Sequence, residues 1–252
     1  MRLLTLARDL RRRKARDRQG LFVAEGVRTV EELLDAPLEL RGLLVTPAAA
    51  AAERGARLVA RAEARGVPVA TVDEAAFASA ADTESPQGVL AVAVVPVRRL
   101  DDVRLPDVGR LLVLDALQDP GNVVTILRTA AALGVAATVA LPGTVDLWNA
   151  KVVRSAMGAL FRHPTLSCTT AELAGFLARR EVPLWAADAR GEPLDLARPP
   201  ARLALAVGNE GAGLSAELRT AAARLVSIPI TAEVESLNAA VAAGILLYAL
   251  RP

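Results

Sequence analysis

From Arg110 onward, short aliphatic runs alternate with helix-like segments, and no other feature restricts the fold as tightly. "RLLVLDAL", "AATVAL", "PTLSC", "VPLWAAD", "RLALAVG" and "ARLVSIPI" read as strands. "NVVTILRTAAALG", "AKVVRSAMGAL", "TAELAGFLARR", "SAELRTAAA" and "LNAAVAAGILLYAL" read as helices between or after them. The strand-like runs are short and apolar throughout, as strands buried on both faces must be. Regular βα alternation predicts a parallel, doubly wound sheet. Composition agrees, because 53% of residues are hydrophobic and only 3% aromatic. The core must therefore be built from Ala, Leu and Val.

The first 95 residues also read as βα units, with strands in "GLFVAEG", "LELRGLLVT", "VPVATV" and "GVLAVAVV". "VRTVEELLD" is a predicted helix, and "PAAAAAERGARLVARAEARG" a longer one, opened by Pro47 and closed by Gly66. Prolines and charges interrupt the pattern in "PVRRLDDVRLPDVG". The predicted division is an N-terminal domain at 1–95, a linker at 96–107 and a second domain at 108–252.

Several function classes are disfavoured. The apolar, uncharged run 236–250 is shorter than the ~20 residues a membrane-spanning helix needs. No charged-then-apolar leader pattern opens the sequence, so a cytoplasmic setting is expected. The single cysteine, Cys168, allows no internal disulfide, and His163, the lone histidine, cannot complete a zinc site. No metal is expected, and His163 reads as a turn or strand-edge residue without chemistry. The first twenty residues hold a basic run, "RLLTLARDLRRRKARDRQG", which fits a solvated helix face or a phosphate-contacting arm.

Three polar stretches stand at predicted strand ends, where open α/β sheets bind ligands. In "LDALQDPGNVVTILRTAAALG", Asn122 and Arg128 sit on an otherwise apolar helix. "AVGNEGAGLS" carries Gly208, Gly211 and Gly213 with Asn209 and Glu210. "VSIPITAEVESLNAAVAAGILLYAL" places Ser236 and Asn238 before the last helix. Taken singly, each has an ordinary structural explanation: a salt-bridging arginine, a flexible turn, a pair of helix caps. The glycine spacing matches neither a phosphate loop nor a dinucleotide fingerprint.

In order and spacing the three stretches resemble the three motifs of the SpoU (TrmH-like) RNA ribose 2′-O-methyltransferases of the SPOUT superfamily. "WNAKVVRSAMGALFRHP" extends the likeness, while in the first motif Val124 stands where a glycine is common and Gly121 where a larger polar residue often sits. "FVAEGVRTVEELL" and "TESPQGVLAV" look like the small α/β, L30e-like substrate-binding domain that many members carry. The resemblance implies a trefoil-knotted C-terminal parallel-sheet domain that binds S-adenosylmethionine in its loops. It implies a homodimer formed through that domain, with RNA as the partner and no membrane association.

Carried onto this chain, the resemblance makes Arg128 the residue at the ribose 2′-hydroxyl, with Asn122, Glu210, Ser236 and Asn238 around it. Val207, Gly208, Asn209, Gly211, Ile228 and Leu237 would contact the cofactor, and a Cβ at Gly208 or Gly211 would clash with the ligand or forbid the loop angles. Arg11, Arg12, Arg13, Lys14, Lys151 and Arg154 are the candidate RNA contacts. An arginine is an awkward base because guanidinium holds its proton so strongly, so orienting the hydroxyl stands beside deprotonating it as a role for Arg128. The expected activity is 2′-O-methylation of 23S ribosomal RNA. Transfer RNA is the alternative substrate, and a non-catalytic RNA-binding protein the alternative class.

Overall fold

A computed structural model of the chain describes residues 2–194, 199–231 and 233–251. Its N-terminal elements are α1 (Arg2–Asp9), α2 (Arg13–Gln19), β1 (Leu21–Glu25), α3 (Val27–Leu34), β2 (Leu40–Val45), α4 (Pro47–Ala51), α5 (Glu53–Ala64), β3 (Val69–Thr71), α6 (Glu74–Ala78) and β4 (Val89–Val94). A short 3-10 turn at Leu100–Asp102 leads to β5 (Gly109–Leu114), α7 (Pro120–Ala132), β6 (Ala137–Ala140), α8 (Ala150–Ser155) and α9 (Ala159–Arg162). The remaining elements are β7 (Thr165–Ser167), α10 (Thr170–Arg179), β8 (Leu184–Pro193), β9 (Arg202–Val207), α11 (Ala216–Ala221), β10 (Arg224–Ser227) and α12 (Ala239–Ala249).

These elements group into two units, Met1–Pro96 with Asp146–Arg162, and Val97–Val145 with His163–Pro252. The boundary at residue 96 falls where the prolines and charges begin. The sequence pattern places Asp146–Arg162 inside the second domain, whereas the structure packs it with the first. The physical cause is visible in the contacts. Trp148 and Phe161 lie against Phe22 of β1, with ring centroids 4.7 and 5.9 Å away. Arg16 of α2 is buried and pairs with Asp146, its Nε donating at 2.8 Å. Its Nη1 also donates to the carbonyls of Leu10 and Arg11.

The first unit carries a mixed sheet in the order β1-β4-β2-β3. β4 inserts antiparallel to both neighbours, while β2 and β3 are parallel. Local βα patterns cannot reveal such an insertion. The long helix expected from Pro47 to Gly66 is broken at Ala52, whose backbone is extended (φ −72, ψ 142). Gly55 accommodates the break, since a Cβ there would run into the Ala49 carbonyl.

In the second unit, six strands form an all-parallel sheet in the order β10-β8-β9-β5-β6-β7. Every residue of β5 and β6 is buried, as strands covered on both faces should be. On one face Leu111, Val113, Val139 and Ala204 pack with Leu173, Phe176 and Leu177 of α10 and with Leu218 of α11. α12 packs on α7 and β9. No helix among the described residues is long and apolar enough to cross a membrane.

His163 is more deeply placed than a turn residue. It is 5% exposed, and its Nε2 lies 2.8 Å from the Thr138 hydroxyl of β6. Burial, followed by the nearby Arg98 charge, pushes its pKa down to about 4. The folded protein thus keeps His163 neutral where an unfolded chain would take up a proton. Stability from this group is fully present above pH 6.5 and is lost as pH falls from there to about 4. Across that window wild type should lose about 3 kcal/mol more than His163→Gln. Denaturant titrations of both proteins at stepped pH check this, and parallel pH profiles would refute it.

Candidate active site

The three polar stretches all leave the carboxyl ends of parallel strands: residues 115–119 after β5, 208–215 after β9, and 228–238 after β10. Backbone direction alone brings them to one edge of the sheet. Asp119 starts α7 by accepting from the N–H groups of Gly121 (3.2 Å) and Asn122 (3.0 Å), and Pro120 occupies the first turn, where no N–H is needed. Asn122 is thereby buried at the helix start.

A hydrogen-bonded chain of side chains then joins the stretches. Asn122 donates from Nδ2 to Glu210 Oε1 at 3.1 Å, and its Oδ1 accepts from Asn238 Nδ2 at 2.9 Å. Asn238 turns its own Oδ1 to the N–H groups of Ala240 and Val241, capping α12. Its capping role and its place in the site therefore coexist on two atoms. Glu210 also receives the backbone N–H groups of Gln118 (3.3 Å) and Asp119 (3.2 Å). Burial alone would raise the Glu210 carboxyl. Hydrogen bonds from its own N–H, Asn122, Gln118 and Asp119 outweigh that, and its pKa falls below the ordinary carboxylate value. At neutral pH Glu210 is an anion that accepts hydrogen bonds and does not act as an acid.

The 208–213 loop is braced mainly from within. Asn209 and Gly213 exchange backbone hydrogen bonds at 2.8 and 3.0 Å. The Asn209 side chain donates to the Ala116 carbonyl and accepts from the N–H groups of Gly211 and Ala212. Gly213 has a left-handed backbone (φ 71). A Cβ on Gly208 would lie 2.5 Å from the Gly213 carbonyl oxygen. Gly211 differs from Gly208 and Gly213. Its backbone is not left-handed, and a Cβ there would find its nearest neighbour, Asn209 Oδ1, 3.8 Å away.

A cleft of about 350 Å³ opens beside this loop. Val207, Gly208, Asn209, Glu210, Gly211, Ile228, Ser236 and Leu237, all named from the sequence, line it. Asn122 and Asn238 stand behind it, reaching it through Glu210. Arg128 lies further along α7. It is exposed and, among the described residues, its side chain makes no hydrogen bond or ion pair. Val124 is buried in the helix–sheet packing, so the chain accommodates a valine there.

Sequence reasoning missed three supports. Buried Asp115 accepts from the Ser215 N–H at 2.7 Å, tying β5 to the start of α11. Ala116 adopts a left-handed backbone (φ 55) that turns its carbonyl to Asn209. Asp188 and Arg219 form an ion pair in the cleft lining. Only "LDAL", a carboxylate at a strand end, carried any signal for the first of these.

The candidate RNA contacts lie in the other unit. Arg11, Arg12, Arg13 and Lys14 are exposed on or beside α2. Arg12 pairs with Asp9 and Arg13 with Asp17, while Arg11 donates to the Ser79 carbonyl. Lys14 and Lys151 have no partner among the described residues. Arg154 faces Asp82 at 3.5 Å.

A parallel sheet whose strand-end loops wall a small, partly apolar cleft defines an α/β protein with a candidate small-molecule site at its strand ends. The chain belongs to the SpoU rRNA Methylase family, whose model matches residues 109–248. Residues 5–91 match the MRM3-like substrate binding domain. The 23S rRNA (guanosine(2553)-2′-O)-methyltransferase RlmP of Bacillus subtilis (strain 168) is 35% identical, covering 97% of this chain and 94% of that protein. The SpoU methyltransferase AviRb from Streptomyces viridochromogenes, solved in complex with AdoMet, superposes with a TM-score of 0.88 at 27% identity, covering 98% of this chain and 96% of that one. An AdoMet-bound rRNA methyltransferase from Sinorhizobium meliloti gives 0.85 at 29% identity, covering 98% and 93%.

The two glycines of the loop should respond differently. Gly208→Ala must displace the Gly213 backbone and should cost roughly 1–3 kcal/mol, as overpacking does. Gly211→Ala meets no protein atom closer than 3.8 Å and should stay within about 0.5 kcal/mol of wild type. Chemical denaturation of both variants decides it, and equal destabilisation would contradict the loop geometry.

Proposed function

We propose that this chain transfers a methyl group from S-adenosylmethionine to a ribose 2′-hydroxyl of 23S ribosomal RNA. The observation that carries the reading is the Glu210–Asn122–Asn238 hydrogen-bonded chain, which unites the three motif stretches beside the cleft. Family membership and the relatives' activity on 23S rRNA favour ribosomal over transfer RNA. The cleft's donor set fits the cofactor. Val207, Ile228, Leu237 and Leu246 offer apolar surface for an adenine ring, and Asp188, Glu210 and Arg219 offer charges for an amino-acid end. Gly211 leaves the loop backbone uncovered for close approach.

When bound, S-adenosylmethionine supplies a methyl group already activated by sulfonium. The protein's work is then to align the hydroxyl, shed its proton and exclude water. Arg128, with no partner among the described residues, orients the 2′-hydroxyl and the adjoining phosphate. Asn122 and Asn238 fix the start of α7 and of α12, and so the register of Arg128 on its helix. Glu210, held as an anion, keeps the loop closed against Gln118 and Asp119. Ser236, without a partner among the described residues, is a cleft hydroxyl available to the ligand.

The reading includes a trefoil knot in the C-terminal part and a cytoplasmic setting. It also takes Arg11, Arg12, Arg13, Lys14, Lys151 and Arg154 as RNA contacts, supported by the exposed and uncommitted ammonium groups of Lys14 and Lys151. A homodimer belongs to it too. The last helix, apolar nearly all round, buries Ala240, Ala243, Leu246 and Leu247 but leaves Val241, Ile245 and Tyr248 exposed at 51, 42 and 58%. A second copy covering that stripe would remove it from water.

Arg128→Ala should lower methyl transfer by about 100-fold or more, within the range of losing a positioned catalytic group, while S-adenosylmethionine binding stays within a few-fold. Calorimetry and single-turnover methylation of ribosomal RNA separate the two. Activity within a few-fold of wild type would overturn the role of Arg128.

Light scattering should give twice the chain mass for wild type and the single-chain mass for Tyr248→Glu. A monomeric wild type at micromolar concentration would overturn the dimer.

A further inference from the structure

β8 breaks its pairing with β10 inside the cleft wall. Leu225 pairs with Ala186, but the next residue, Val226, pairs with Glu192. Residues 187–191 therefore bulge out of the ladder, and Ala187, Asp188, Ala189 and Arg190 line the cleft. Bulges beside binding sites commonly redirect a side chain. Here the redirected side chain is Asp188, which is only 6% exposed.

Its carboxylate is held on both oxygens. Oδ1 accepts from the Arg190 backbone N–H at 2.9 Å, and Oδ2 pairs with Nη1 of Arg219 on α11. Among the described residues, Arg190 and Arg219 are the cations in the cleft lining. The Arg190 side chain is 85% exposed, whereas Arg219 is pinned by Asp188 and 32% exposed. Among the described residues the Arg219 side chain makes no other hydrogen bond or ion pair, so most of its five donors remain open. A guanidinium fixed by one carboxylate and presenting the rest of its fork to a cleft is shaped to take a second carboxylate.

We propose that Arg219, anchored by Asp188, binds the α-carboxylate of the cofactor's amino-acid end and so selects S-adenosylmethionine over nucleosides that lack it. This rests on the cofactor reading above. The apolar residues Val207, Ile228, Leu237 and Leu246 cannot satisfy a charged amino-acid end, and of the two cations in the described cleft lining Arg219 is the less exposed and the one fixed by Asp188. Arg219 is the binding group and Asp188 a positioning residue. Asp188 is nearly buried, so the pair also braces the bulge; a structural role alone leaves the open remainder of the Arg219 fork unexplained.

The test is calorimetry with two probes, S-adenosylhomocysteine and 5′-methylthioadenosine, which share the adenosine and the thioether but not the amino-acid end. Wild type should bind the first much more tightly. Arg219→Gln should weaken S-adenosylhomocysteine about tenfold to a hundredfold, the loss of a charge-assisted contact, and leave 5′-methylthioadenosine within about twofold. Arg219→Lys, which keeps the charge without the fork, should recover part of the loss. Asp188→Asn should show the same selective loss, smaller in size, with thermal unfolding as the check on folding. Equal weakening of both probes would assign the pair to the nucleoside or to the fold and overturn the proposal. An unchanged affinity for S-adenosylhomocysteine would overturn it as well. If wild type binds neither probe, the cofactor reading itself falls, a result distinct from either of those.

Discussion

Everything at the site hangs on how one carboxylate is satisfied. Glu210 sits on a loop that projects from the end of β9, and an anion there needs donors. It takes two from the backbone just before α7 and one from Asn122 on that helix. Each of these bonds costs the site a degree of freedom: the loop cannot swing without abandoning charge-assisted contacts. Asn122, with its amide nitrogen committed to Glu210, has only its oxygen left, and Asn238 uses it. The amide orientations of both asparagines are thereby settled by the network. Three segments distant in sequence become one rigid edge, which is what positioning a reacting hydroxyl demands.

The cleft shows a division of labour among glycines that composition hides. Gly208 is required by the protein itself, because the backbone of Gly213 passes too close for any side chain. Gly213 is required by its own left-handed backbone. Gly211 is required by neither, so whatever it contributes lies on the ligand side. A loop that reads as uniformly flexible is, in the structure, tightly cross-braced.

Much of this is legible in the sequence, and the unread part has physical causes. Strand positions follow from short aliphatic runs, which burial on both faces enforces. The site follows from three polar interruptions at strand ends, because parallel topology gathers such ends together. The break at Ala52 is hidden because alanine favours helix so strongly that only the crowding of Gly55 against Ala49 reveals it. The insertion of β4 between β1 and β2 depends on non-local pairing that no local pattern encodes. Asp188 and Arg219 are thirty-one positions apart and ordinary in their own contexts. Only a bulge in β8 makes them neighbours. Asp146 and Arg16 are likewise brought together only by the fold, at still greater separation.

The grouping of Asp146–Arg162 with the N-terminal residues has a consequence for synthesis. A ribosome makes this chain from one end, and domains generally fold as they emerge. The first unit cannot complete in that order. When residue 96 has emerged, Phe22 still lacks Trp148 and Phe161, and Arg16 is a cation without its carboxylate. β5, α7 and β6 must be translated before those partners arrive. The last contacts of the first unit thus depend on residues translated after the second unit has begun, and the completion of the first unit is tied by the path of the chain to the synthesis of the second.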